Sequence, residues 1–288
     1  MRVSISNLAW EPDEDEQVVA LLNKHGVDAI DVAPSKYFPD IDGATAEETS
    51  AVRTMWADRG IKIVGMQSLL FGTAGLNLFG DVDTQNRMLD RLRAVCRVGE
   101  GLASKEGVRL TFGSPKNRDI GDLTPDAAKE SAVKFFGRLA RVADDHGVIV
   151  CLEPNPPKYG CNFMTDTASA ADIVRAVDHR AIRLQFDSGA SAINGEDVGH
   201  AIRAFEDVIG HVHVSEPDLV PVGSAPASAA SYHGALARAL SGSAIHPLVT
   251  IEMLTRRAET RLADIDAALA FVCGTYRSAA ASFRKNTQ

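Results

Sequence analysis

The chain has 288 residues, 45% hydrophobic and 24% charged, the balance of a globular protein with material for a sizeable core. A formal net charge of -8 argues against a general nucleic-acid binder, which needs a basic face. Cys96, Cys151, Cys161 and Cys273 show no metal-ribbon spacing, no apolar run reaches the roughly 18 residues of a membrane span, and "MRVSISNLAW" lacks the basic and apolar regions of a signal peptide, so a reduced, cytoplasmic protein is expected.

Strand-like and helix-like segments alternate along the chain. Val3 to Ser6 reads as a strand and Glu14 to His25 as a helix stopped by Gly26. "VDAIDVAP" is a second strand, ended by its proline, and Ala46 to Arg59 a second helix closed by Gly60. "IKIVGMQS" is a third strand, followed by a long helix from Asp83 to Val98. The fourth unit is the clearest. "VRLTFGSP" precedes Thr124, an N-cap, and Pro125, which suits the first helical position. Ala132, Phe136, Leu139 and Ala143 then recur at helical spacing until His146 and Gly147. The strands "VIVCLE", "IRLQFD", "IGHVHVS" and "PLVTIEM" follow. Helices at Asp166 to Asp178, around Asp197 to Phe205, and at Tyr232 to Leu240 alternate with them, and Glu259 to Tyr276 closes the series. The tail "FRKNTQ" reads as frayed.

Eight strands alternating with eight helices predict a single (β/α)8 barrel over residues 1–288. The alternative, a doubly wound open sheet, would normally carry a glycine fingerprint after the first strand, where this chain has "SNLAW".

Barrel active sites lie at the C-terminal ends of the strands. Glu153, Asp187, His213 and Glu252 fall there on the last four strands, each after an apolar run. A carboxylate at the mouth of a buried strand costs free energy unless a proton, a cation or hydrogen bonds compensate it. Three together would repel one another unless a cation held them. An oxygen-rich set with one imidazole suits manganese first, with magnesium, cobalt or zinc as the other candidates.

With these residues in place, the chain resembles the xylose-isomerase-like barrel superfamily, its sugar phosphate isomerase/epimerase group. The likeness runs from "ISNLAW" and "DVAPSKYF" through "GMQSLLFG" and "TFGSPKNR" to "TIEM". The resemblance implies one divalent metal held by Glu153 in "CLEPNP", Asp187 in "LQFDSGA", His213 in "HVHVSEP" and Glu252 in "TIEM". It also implies Glu153 and Glu252 as the pair that removes and returns a proton next to a carbonyl, through an enediolate that the metal stabilises. The expected partner is a small sugar or sugar derivative, with no nucleic acid and no membrane, and a homo-oligomer is possible for the family. Two departures argue against a free-ketohexose 3-epimerase. The stretch "DSGASAING" lacks the family's histidine after the aspartate ligand, and "SEPDLVPVG" lacks its arginine after the histidine ligand.

Other residues suit substrate binding. Gln67 and Asn155 sit just past strand ends and suit hydroxyl groups. Lys116 and Arg118 in "GSPKNR" read either as a solvated loop or as a clamp for an anionic substituent. His211 reads as a packing residue behind His213 or as a substrate contact, and His233 as a cap on the site or the start of a helix. Trp10, Tyr37 and Phe71 are candidates for an apolar wall or for packing. Three other functions share the fold or the site: a lyase that expels a β-hydroxyl, an apurinic-site endonuclease, and a non-catalytic sugar-binding partner. The endonuclease would need further metal ligands at the first four strand ends, where "SNLAW", "VAPSK", "MQSLL" and "FGSPK" supply no histidines.

Overall fold

A computed structural model describes residues 1–104, 107–225, 227–245 and 248–286. Its strands are β1 (Arg2–Ser6), β2 (Ala29–Val32), β3 (Lys62–Met66), β4 (Arg109–Phe112), β5 (Ile149–Leu152), β6 (Ile182–Asp187), β7 (Ile209–Val214) and β8 (Leu248–Ile251). Each pairs in parallel with the next, and β8 pairs with β1, so the sheet closes into a (β/α)8 barrel as expected. The described helices are α1 (Asp15–Lys24), α2 (Ala46–Ala57), α3 (Val82–Leu102), α4 (Pro125–Asp145), α5 (Thr167–Val177), α6 (Ser188–Ile193), α7 (Val198–Phe205), α8 (Ala227–Ser241) and α9 (Arg261–Asn286).

Local chemistry explains most boundaries. Thr124 accepts a hydrogen bond from the Ala127 amide and starts α4, with Pro125 at its first position. Gly147, at φ 63°, makes the left-handed turn from α4 into β5. Three expectations need correction. α8 begins at Ala227, five residues before Tyr232, because the alanine- and serine-rich stretch lacks the apolar periodicity that marks a helix. α9 continues through Arg284 to Asn286, so most of the tail is helical. α6 was not expected at all, being six residues long and capped by Asp187, whose side chain accepts from the Ala190 amide.

The core has two layers. Between sheet and helices pack Trp56, Phe135, Phe136 and Tyr276, all essentially fully buried. Trp10 belongs to this layer and not to a cleft wall: its indole meets Trp56 edge-on and donates to Asp15 at 2.7 Å. Tyr37 donates to the same carboxylate, so it too is a packing residue. Inside the barrel the filling is polar. Ser4, Asp31, His211 and Thr250 are buried together although β2 and β7 are not neighbours, and the Asp31 to His211 contact therefore crosses the barrel interior. Gly65 on β3 makes room for it. A Cβ there would lie 2.1 Å from Asp31 Oδ2, which no side chain could accept without displacing the carboxylate.

Candidate metal centre and active-site cleft

Four strand ends converge on one point. Glu153 follows β5, Asp187 ends β6, His213 lies one residue from the end of β7, and Glu252 follows β8. The sheet register sets Asp187 opposite His213 and His213 opposite Thr250. Backbone bonds extend it past the strands, with the Glu153 amide donating to Phe112 O at 3.0 Å and the Glu252 amide to Val214 O at 3.0 Å. One ligand-type atom from each of the four lies within 4.8 Å of all the others, and all four residues are buried. His213 Nδ1 stands 3.2 Å from Glu153 Oε1 and 3.2 Å from Glu252 Oε2. Glu153 Oε1 and both ring nitrogens of His213 are buried with no hydrogen-bond partner. Buried polar atoms normally have partners, so the orphaned Glu153 Oε1 and His213 Nδ1, which face each other at the centre, fit a divalent cation held between them.

The surroundings hold these side chains in place. Gln67 Nε2 donates to Glu252 Oε1 at 2.6 Å. Ser215 Oγ donates to Asp187 Oδ2 at 2.7 Å. Gly113 leaves space for Glu153, whose Oε2 would lie 1.9 Å from a Cβ at that position. Behind His213, Asp31 Oδ2 faces Nε2 at 3.8 Å while accepting from His211 Nε2 at 2.7 Å. A carboxylate on that side keeps Nδ1 turned to the centre.

Charge follows geometry. Burial, then the Glu252 and Glu153 carboxylates, push the Asp187 carboxyl up to about 7, with His213 opposing. Burial would raise Glu252 also, but the adjacent His213 imidazole and the Gln67 amide hold it below its ordinary value. Burial disfavours a charge on His213, yet Glu252, Asp31 and Glu153 outweigh it and hold the imidazole well above its ordinary value. Asp31 is buried too, and its histidine neighbours keep it far below the usual carboxylate range.

Two lobes of a cleft meet at Glu153 and Glu252. One, of about 430 Å³, is also lined by Asp187, Asn155, Glu216 and Arg256. The other, of about 780 Å³, runs between the segments after β3 and β4 and contains Gln67, Phe71, Lys116 and Tyr159.

The structure therefore separates the expected substrate residues. Gln67 and Lys116 line the larger lobe and Asn155 the smaller. Arg118 does not reach the cleft. It is fully buried, and its guanidinium donates to Glu153 O at 2.7 Å, to Cys161 Sγ at 3.3 Å and to Asn155 Oδ1. The clamp reading of Arg118 fails because its donors are occupied by the protein; it fixes the backbone of a candidate ligand. His211 lies beneath the centre, bonded to Asp31 and Thr250, and lines neither lobe. His233 is buried on α8, its nitrogens 3.0 Å from Tyr276 OH and 3.2 Å from Glu216 Oε1, and it lines a separate cavity of about 390 Å³. It ties the segment after β7 to α8 and α9, and it does not cap the site. Sequence reasoning missed Ser215, Asp31 and Arg256. Arg256 alone had a readable signal, four residues past Glu252 in "TIEMLTRR".

A family model described as a xylose isomerase-like TIM barrel matches residues 19–272. A D-psicose 3-epimerase of Ruminiclostridium cellulolyticum is 32% identical over 88 residues, which span 30% of this chain and 29% of that protein. A crystal structure of D-psicose 3-epimerase from Clostridium cellulolyticum H10 superposes with a TM-score of 0.76 at 18% identity, covering 96% of this chain and 99% of the other. A structure of L-ribulose 3-epimerase gives 0.71 at 18% identity, covering 99% and 96%. At such identities the likeness to solved structures establishes the fold.

Proposed function

From the chain's membership of the xylose isomerase-like TIM barrel family, we propose that it is a metal-dependent isomerase or epimerase of a sugar or sugar derivative, active next to a carbonyl. The observation that carries this reading is the buried set Glu153, Asp187, His213 and Glu252, with ligand atoms within 4.8 Å of one another at the junction of two cleft lobes. The named similarity to sugar epimerases supports it. A divalent cation, manganese by preference, would supply Lewis-acid polarisation of the substrate carbonyl and offset the charge that develops on its oxygen.

The chain's own residues do the rest. Glu153 and Glu252 come from strands that are not neighbours in the barrel and reach the centre from different sides. One takes a proton from carbon and the other returns one to the opposite face. Gln67 holds the Glu252 carboxylate by one oxygen, and Arg118 and Asn155 fix Glu153 through its backbone and its Oε2. Such fixed carboxylates keep the transfer geometry without reorganisation during the reaction. Asn155 and Arg256 supply donors for substrate hydroxyls in the smaller lobe.

The test is a screen of ketoses, keto-sugar acids and inososes in deuterated water with manganese added. Deuterium entering a carbon next to the carbonyl, lost on chelation, supports the reading. Loss of water with an absorbing enone would make the protein a lyase instead. No exchange with any substrate, and no metal at the four side chains by anomalous scattering, would defeat both.

A further inference from the structure

The cavity of about 390 Å³ beside His233 lies between α6, α8 and the segment after β7. Ser215 and Glu216 line both it and the smaller lobe of the cleft, so they form the wall between the two. Two carboxylates, Glu196 and Glu216, face the cavity, and its described lining residues include no lysine or arginine. Glu196 is occupied internally, accepting from the Thr167 amide and hydroxyl and from Asn194. Glu216 is only half occupied. It is 2% exposed, and the Gly223 amide and His233 Nε2 both meet its Oε1, each at 3.2 Å. Among the described residues, Oε2 has no hydrogen-bond partner. His233 lines this cavity and not the smaller lobe, so the carboxyl end of Glu216 is turned toward α8 and away from the candidate metal ligands.

A buried carboxylate with one oxygen unbonded costs free energy, which a cation carrying N–H donors offsets. A single open carboxylate oxygen is too small a ligand set for a divalent metal. The remaining walls suit a short apolar body on that cation. Ala192, Pro217 and the Tyr232 ring are apolar surfaces, and an aromatic ring attracts an ammonium group. The volume lies at the low end of the roughly 300–1,000 Å³ of small-molecule pockets.

We propose that this cavity is a second binding site, for a small aliphatic amine in its protonated form, with the ammonium group on Glu216 Oε2 and the chain against Ala192, Pro217 and Tyr232. The site does not depend on the reaction assigned to the metal centre, but it adjoins that centre. Ser215, in the shared wall, donates from Oγ to Asp187 Oδ2 at 2.7 Å, and Ser188 Oγ donates to Ser215 O at 2.7 Å. An amine in the cavity therefore rests on the same wall that holds a candidate metal ligand.

Titration calorimetry of the manganese-loaded protein near pH 7 tests the proposal, with n-propylammonium chloride as the probe. Sodium chloride at the same ionic strength and 1-propanol, which has the same chain without the charge, are the controls. The amine should bind saturably at one site, and 1-propanol at least about tenfold more weakly. Glu216→Gln keeps the side-chain size and an oxygen for His233 and Gly223 but removes the charge, and it should weaken amine binding at least about tenfold. Ala192→Leu fills the cavity from α6 and leaves Glu216 in place, and it should abolish binding. If Glu216→Gln does not fold, Ala192→Leu decides alone. No saturable binding of the amine, equal binding of 1-propanol, or wild-type affinity in either variant overturns the inference and leaves the epimerase reading untouched.

Discussion

The charge state of the four-residue cluster can be tested through pH. Without metal, burial and the Glu252 and Glu153 carboxylates hold Asp187 near 7, against an ordinary value of 3.8. His213 is held well above its ordinary 6.5 by Glu252, Asp31 and Glu153, although burial opposes this. At pH 6 the metal-free cluster therefore keeps one proton on Asp187 and one on His213. A cation bound by all four residues displaces both, so its binding releases up to about two protons and tightens as pH rises. The effect on folding has a definite sign. Asp187 holds its proton in the folded chain at pH values where the unfolded chain has lost it, so metal-free stability falls as pH rises from about 4 toward 7. His213 acts in the same direction at higher pH, its contribution being complete below about 6.5 and lost as its raised folded value is passed. One such proton changes folding free energy by about 1.4 kcal/mol per pH unit, so Asp187 alone accounts for roughly 3 kcal/mol between pH 5 and 7. Unfolding a chain of 288 residues has an entropy of about 0.6 kcal/mol per degree, which converts this to about 4 to 5 °C. Scanning calorimetry should show the Tm gap between manganese-saturated and metal-free protein widening by at least about that amount over this range. Asp187→Asn should remove about half of the widening below pH 7 and leave the part that comes from the proton on His213. A gap that does not change with pH, together with no proton release in buffers of different ionisation heat, would refute the reasoning.

Glu153→Gln and Glu252→Gln keep side-chain size and one oxygen but remove the base, and each should lower turnover by a factor of at least about 10²; wild-type deuterium exchange in both variants would rule out the two-carboxylate mechanism. Arg118→Met leaves Glu153 O and Asn155 Oδ1 without their buried donor. Leaving a buried neutral acceptor unpaired costs about 1 to 3 kcal/mol each, so with both orphaned Tm should fall by roughly 3 to 10 °C, and anionic and neutral substrates should lose activity alike; a loss confined to anionic substrates would restore the clamp reading. Gly65→Ala places a Cβ 2.1 Å from Asp31 Oδ2. Manganese affinity should fall by about 10- to 100-fold through the loosened His213, and Asp31→Asn should lower it comparably without the steric conflict. Unchanged affinity in both variants, measured by titration calorimetry, would show that Asp31 does not position His213.

The barrel was legible because each β/α unit repeats the same local contrast. A short apolar run such as Val148 to Leu152 ends at a polar residue, and a capped, periodic helix such as α4 lies on either side of it. The candidate ligands were legible for a related reason. A carboxylate directly after an apolar strand stands at a fixed place in a barrel, so Glu153, Asp187, His213 and Glu252 could be placed in one ring from strand order alone. What lay beyond that ring was not legible, because it depends on which way a side chain turns once it leaves a loop. Arg118 and Lys116 are two residues apart in one polar segment, and nothing in "GSPKNR" says that one is buried and the other exposed. The short 3-10 turn at Pro115–Asn117 decides it, folding Arg118 back under Glu153 and leaving Lys116 at the cleft. Asp31 was hidden more deeply. It sits inside an apolar strand, where a carboxylate argues against burial, and it is tolerated because His211 on the far side of the barrel meets it and Gly65 beside it carries no side chain. That match spans β2, β3 and β7, elements up to 180 residues apart, and no local pattern records it.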